Sequence, residues 1–317
     1  LKFGNLQSPF TTSTENWLNR FNNTPIRDLF SRKAPSENCQ DSDKYEYNIE
    51  YYINEIRNQS MYFFYDDDDR YGIGDRITNI NHNNILSEVQ LEFKLPFYGF
   101  MYQYIRVSLH GHISFSDSPP QMQHPFVFPI PEWPKVQDPA FIGIFYGYGR
   151  IGVSKQYENE TETKKPGVYV RVFDLKNAKC LIDKVVKKRL TFDIREGIIG
   201  AETFDPHHAI IVTWNKISVG GGVDKTLNKT NTFQAVITTD QVRTYVIFIY
   251  KEMQWMADTT SGGDPIKGVG EWPVFVGFNA GNGTRSFAYE PYSQDITISK
   301  LLQSGHVNNH PGRHIFR

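Results

Sequence analysis

From Met61 onward the chain is a succession of short apolar runs set off by Gly, Pro, Asn or Asp. The runs "SMYFFY", "VQLEFKLPF", "YIRVSLHGHISFS", "AFIGIFYGY", "GVYVRVFDL", "AIIVTWNKISV", "TFQAVITTD", "TYVIFIY" and "VFVGFNA" are rich in Val, Ile, Phe, Tyr and Thr. That mixture predicts strands, because β-branched and flat side chains pack on a pleated, half-buried surface. Several runs alternate. Tyr104, Arg106, Ser108 and His110 fall on one face, with Ile105, Val107 and Leu109 on the other. "TFQAVITTDQVRTYVIFIY" reads as a hairpin turning at Asp240-Gln241.

One segment has a different period. In "CLIDKVVKKRLTFDIREGIIG", Ile182, Val186, Leu190, Ile194 and Ile198 recur at steps of four with charges between them, and Gly197 or Gly200 supplies a stop. This predicts an amphipathic helix lying against a sheet. Upstream, "STENWLNRFNNTPIRDLFSRK" places Trp17, Leu18 and Phe21 at helical spacing behind a Ser13 or Thr14 cap, until Pro25 interrupts. Ile26, Leu29 and Phe30 suggest a second short helix, and "APSENCQDSDK" has linker composition. The expected class is therefore α+β and β-rich: antiparallel, sandwich-like sheets, one flanking amphipathic helix and a short helical N-terminal extension. Residues 1–58 are expected to form the extension and 59–317 the β-rich domain.

Composition narrows the partners. Lys and Arg total 34 against 35 Asp and Glu, so no basic excess points to nucleic acid or an anionic membrane. No window approaches the apolar length of a membrane span. The chain opens on Leu1 without a signal-like segment, which suggests a processed N-terminus, and "PGRHIFR" at the other end suggests a cut just past a strand. Cys39 and Cys180 are too few for a zinc cluster or a disulfide scaffold. They can form one bridge or remain thiols, and spacing decides neither. Asn-x-Ser/Thr acceptors occur at Asn22, Asn58, Asn159, Asn228 and Asn282, Asn22 being weakened by Pro25. The last three of these lie in polar, turn-like stretches, which favours an extracellular home.

The chemical motifs mostly fail on context. Gly147-Tyr-Gly149-Arg-Ile-Gly152 spells G-x-G-x-x-G after a strand-like run. A dinucleotide site needs a helix starting at the last glycine and an acid at the end of the next strand. "VSKQYENETETKKPGVYVRV" has no helical stripe, so a glycine-rich bend between strands fits better. No nucleophile elbow, zincin motif or P-loop is present. Asp193 and Glu196, one helical turn apart, read as a solvated face beside Arg195 rather than a carboxylate pair. His110 and His112 on one strand face, with His207-His208, are weak zinc candidates, outweighed by an exposed face and a turn. The acidic run Asp66 to Asp75 departs from a calcium-binding EF-hand loop, since Tyr71 and Thr78 take ligand positions, and reads as a solvated turn. No metal, cofactor or catalytic residue is assigned.

The segments "DPAFIGIF" (138–145), "DIREGIIGAETF" (193–204), "AIIVTW" (209–214), "TNTFQAVITTD" (230–240), "VGFNAGNGTRS" (276–286) and "PGRHIFR" (311–317), in that order, resemble the nidogen-like (NIDO) extracellular domain. The version most resembled stands at the front of Mesh-like junction proteins and their sushi-domain-containing relatives. The resemblance covers about Leu91 to Arg317 and is strongest over 138–317. It implies an ectodomain module without enzymatic activity, followed in the family by AMOP, von Willebrand factor D-type and sushi modules and a membrane anchor. It further implies adhesion or junction assembly at an epithelial surface. Relatives are acidic where Tyr146 to Gly149 stand here, so no acidic or metal role carries over to that edge.

The expected function is a non-catalytic extracellular interaction module, with other extracellular or junctional proteins as partners. The alternatives are a carbohydrate-binding or hydrolytic sandwich and a structural spacer. Tyr146 and Tyr148 are the candidate exposed anchors, because interfaces use Tyr heavily.

Overall fold

In a computed structural model the described residues are 54, 60–62, 64, 86–119, 124–152, 166–179, 181–307 and 310–317. Their strands are β1 (Leu86–Phe97), β2 (Phe100–Ser108), β3 (His112–Ser114), β4 (Phe141–Tyr146), β5 (Gly149–Ile151) and β6 (Gly167–Asp174). Helix α1 (Leu181–Gly197) follows, and then β7 (His208–Val219), β8 (Thr230–Thr239), β9 (Thr244–Met253), β10 (Phe275–Asn279), β11 (Ser286–Ala288) and β12 (Arg313–Phe316). The fold is α+β and β-rich, and every pairing between these strands is antiparallel.

Two sheets pack face to face. The first runs β1-β2-β3-β4-β10-β11 and the second β12-β9-β8-β7, with β5 and β6 sharing the far edge of β7. β6 pairs with Ala209 to Asn215 and their neighbours, and β5 with Ile217 to Val219, past a break in register at Trp214 and Ile217 where Lys216 takes a positive φ. Between the sheets lie Ile105, Val107, Ile113, Ile142 and Ile144 from the first, against Val212, Trp214, Phe233, Ala235 and Phe248 from the second. The alternation read in "YIRVSLHGH" places Ile105 and Val107 in this core. The run itself divides into β2 and β3. Gly111 sits at φ 72, and a Cβ there would stand 2.1 Å from the carbonyl oxygen of Phe145.

A third layer covers the outer face of the second sheet. Val186, Leu190 and Ile194 of α1 pack on Ala209, Ile211, Val236, Ile247 and Ile249. The helix therefore lies where its four-residue apolar period expects it, and β8 is buried on both faces along its whole length. The hairpin also stands as expected, with the turn at 240–243. "SMYFFY", expected as a strand, is assigned to none at its described residues. Side chains grip it instead: Gln234 accepts from the Tyr62 amide at 2.8 Å and donates to its carbonyl at 3.0 Å. Gln234 is itself buried in β8, so this exchange satisfies a group that would be costly to leave unpaired.

Asp193 is the clearest departure from the solvated helix face expected of it. Its carboxylate is buried and accepts from Arg313, from the Tyr62 hydroxyl at 2.7 Å and, within 3.6 Å, faces Arg189. Arg189 in turn donates to the carbonyls of Met61 (2.8 Å) and Ser60 (2.7 Å). Only Arg195 and Glu196 remain on the exposed side. Burial alone raises a carboxyl pKa, but Arg313 and Arg189 outweigh it and hold Asp193 below the usual range.

Candidate functional site

The glycine-rich stretch after β4 is the crossing from one sheet to the other. Phe141–Tyr146 belongs to the first sheet and Gly149–Ile151 to the second, so Gly149 opens a strand. Gly147 permits the passage, since a Cβ would lie 2.3 Å from Val274 Cγ1. Asp258, a residue no motif singled out, organises the crossing. One carboxylate oxygen accepts from the Tyr148 amide at 2.7 Å, and the other caps the 259–261 turn through Thr260 N at 2.7 Å.

The two candidate tyrosines separate here. The amides of Ile144 and Phe145 both donate to the Gly111 carbonyl, a bulge that turns Phe145 inward and Tyr146 to the outer face of the first sheet. There Phe126 stacks on Tyr146 at 4.9 Å, and Tyr146 is buried, contrary to the exposed pair expected. Tyr148 is 41% exposed, its ring 5.0 Å from that of His110.

The histidines do not share a strand face either. His110 lies in the turn, where its Nδ1 accepts from the Gly149 amide at 3.3 Å, whereas His112 opens β3 and is buried beside Tyr146. Neither ring nitrogen of His112 has a hydrogen-bond partner, and burial, with His110 close by, pushes its pKa down to about 3. His208 stands elsewhere, stacked on Phe93 at 4.0 Å and facing Asp174. Among the described residues no three His, Cys, Asp or Glu side chains are grouped to hold a metal. Asn228 and Asn282 are exposed in turns, the second at φ 52. Asn22, Asn58, Asn159, Cys39, Cys180 and the acidic run 66–75 lie outside the described residues.

A second, apolar surface lies at the other end of the sandwich. β1 and β2 meet at Tyr98-Gly99, both at positive φ (48° and 87°), a two-residue turn whose twist suits a hairpin. Asn-Gly is the usual choice. A tyrosine held in the left-handed region is strained and calls for a reason beyond the turn. Tyr98, Phe100 and Met101 are 43%, 45% and 56% exposed. Facing them are Val242 in the β8–β9 turn, Phe287 on β11, Val307, and Phe316 near the end of β12. Tyr98 and these four residues border a groove of about 620 Å³, with Phe100 and Met101 following in the chain outside its lining.

Two contacts fix its shape. The Asp240 carboxylate accepts from the amides of Val242 (2.9 Å) and Arg243 (2.6 Å), and the Thr244 hydroxyl donates to the Pro96 carbonyl at 2.7 Å, joining the two turns. Of the described lining residues only Tyr98, Thr244, His306 and Arg317 carry polar side chains. Such a groove suits apolar side chains of a partner, since it offers area to remove from water and few groups to orient a reaction. The signal was legible in "PFYGFMY", where a hairpin turn expected to be polar is aromatic on both sides.

The nidogen-like domain model matches residues 103–317. Protein mesh of Bombyx mori is 44% identical over 266 residues, covering 84% of this chain and 17% of that protein. Alpha-tectorin of Mus musculus is 31% identical over 232 residues, 73% of this chain and 9% of its own length. Nidogen of Drosophila melanogaster is 24% identical over 217 residues, 68% and 14% respectively. The chain thus spans less than a fifth of each of these relatives. No solved structure gives a significant match.

Proposed function

The chain belongs to the nidogen-like domain family, and from that premise we propose that it is a non-catalytic extracellular interaction module. Its setting is the ectodomain of a Mesh-like membrane protein, at the outer face of the plasma membrane in epithelial cell junctions. There it contributes to cell–cell adhesion or junction organisation by engaging other extracellular or junctional proteins. The observation that carries this reading is the apolar end: a strained aromatic hairpin tip beside a groove with little polar chemistry. Aromatic anchors in desolvated pockets supply most of the energy of protein interfaces. The occupant this surface suits is a segment of a second extracellular protein that presents apolar side chains. We place the start of the module before residue 103, because β1 (Leu86–Phe97) forms the edge of the first sheet.

Beads displaying the chain, mixed with epithelial cells that present other extracellular and junctional proteins, test it through aggregation with those cells. Tyr98→Ser with Phe287→Ser is expected to reduce aggregation at least tenfold while the fold persists. Tyr148→Ala, at the opposite end of β8 and about 30 Å away by strand rise, is expected to leave it within twofold. Aggregation unchanged by the double substitution but lost with Tyr148→Ala would move the docking surface to the crossing. Aggregation insensitive to both would leave the module a spacer.

A further inference from the structure

Helix α1 turns a second, charged face outward, away from the apolar end, and of its cations Arg195 also donates to the Phe204 carbonyl at 2.9 Å. Lys184, Lys188 and Arg195 stand four and seven residues apart and so form one stripe along the helix. Lys187 flanks the stripe, 3.1 Å from Asp205, and exposed Lys176 and Lys179 precede the first turn. With Phe192, 37% exposed, the helical cations line a shallow groove of about 430 Å³ in which Glu196 is the one acid among the described lining residues. The whole chain carries a formal charge of −1, so this excess is local. On the inner side of the helix Arg189 and Arg313 share the single carboxylate of Asp193, Arg189 through its Nε at 3.6 Å, and neither Nε makes a hydrogen bond. Guanidinium groups stay protonated when buried, and buried charge is screened less than surface charge. Among the described residues the cluster therefore comes to one net positive charge behind the groove.

We propose that this groove binds an acidic polysaccharide, a sulfated glycosaminoglycan chain, as a second contact of the module. The inference rests on the extracellular placement proposed above. Charge complementarity selects a polyanion. Lysine ammonium groups act as rotatable point charges that suit sulfates spread along a flexible chain, without the fork geometry a planar carboxylate rewards. Phe192 offers an aromatic face to the C–H face of a sugar ring, which an acidic peptide does not require.

The test is retention of the 317-residue chain on immobilised heparin, with affinities for defined heparin fragments measured at several salt concentrations. At about 150 mM salt, near physiological ionic strength, Lys184→Ser/Lys188→Ser/Arg195→Ser is expected to weaken binding at least tenfold. Its log–log salt slope should be shallower by about two to three, as for three released counterions. Phe192→Ala is expected to weaken binding several-fold with the slope unchanged. Lys135→Ser/Lys225→Ser/Lys251→Ser, exposed elsewhere, should match the parent. Lys184 is half-buried and the other positions are exposed, and matching unfolding midpoints establish that the variants fold. A triple variant that binds like the parent overturns the proposal. So does polyglutamate that competes as well as heparin with Phe192→Ala silent, which would make the partner an acidic peptide. A parent chain that aggregates cells but ignores heparin defeats this inference alone. One that is retained on heparin but fails to aggregate cells defeats the adhesion reading alone.

Discussion

Asp193 is a buried carboxylate answering two guanidinium groups and a phenol, and removing its charge strands both arginines. Asp193→Asn is expected to cost about 3–5 kcal/mol in urea unfolding, and Tyr62→Phe, which deletes one hydrogen bond to a charged group, about 1.5–3 kcal/mol. The two buried histidines set the pH dependence. Burial lowers His112 to about 3 and His314 to about 4, from an ordinary 6.5. The unfolded chain therefore binds protons that the native state refuses. This contribution is fully present above pH 6.5, falls as pH drops, and is gone below the folded values. Between pH 7 and 5, where most carboxylates stay charged, each histidine should account for a loss of about 2 kcal/mol. Urea midpoints at pH 7, 6 and 5 should fall less steeply for His112→Phe than for the parent. Individual roles of this kind were hidden in the sequence for a plain reason. Glu196 and Arg195 made Asp193 look solvated, while its decisive partner lies 120 positions away.

Elements were legible where their period was long. The steps of four in α1 and the apolar runs of β1, β4 and β6 to β10 announced themselves, because each buries a face and a period records which one. β3, β5 and β11 are three residues each and exist because long neighbours hold them in register, so no local pattern could mark them. Turns show the same division. Gly111 is required by its left-handed φ and by the nearby Phe145 carbonyl, and Gly111→Ala is expected to cost at least about 2 kcal/mol, read from the thermal midpoint. Tyr98 is the converse. Tyr98→Asn relieves left-handed strain in a two-residue hairpin and is expected to hold or raise stability by up to about 1 kcal/mol, while cell aggregation falls. A loss of stability matching the loss of aggregation would mean that the ring is packing rather than waiting for a partner.

Across the whole molecule the sheets and the helix layer follow from sequence, but the burial of β8 on both faces and the way the layers are tied together do not. The runs of β7 and β8 are apolar without alternation, as strands covered on both faces are, yet nothing local said that α1 and residues 60–62 would share the outer one. The tie has a mechanical meaning. Tyr62 holds the early chain to Asp193, and Arg313, at the head of β12, holds the last strand to the same carboxylate. A tension applied between these two ends is shared by that carboxylate, by the grip of Gln234 and Arg189 on residues 60–62, and by the four-residue ladder from Arg313↔Ile249 to Phe316↔Val246. Pulled, the module yields first at its rim, by shedding β12, and keeps its core as a reserve of extension.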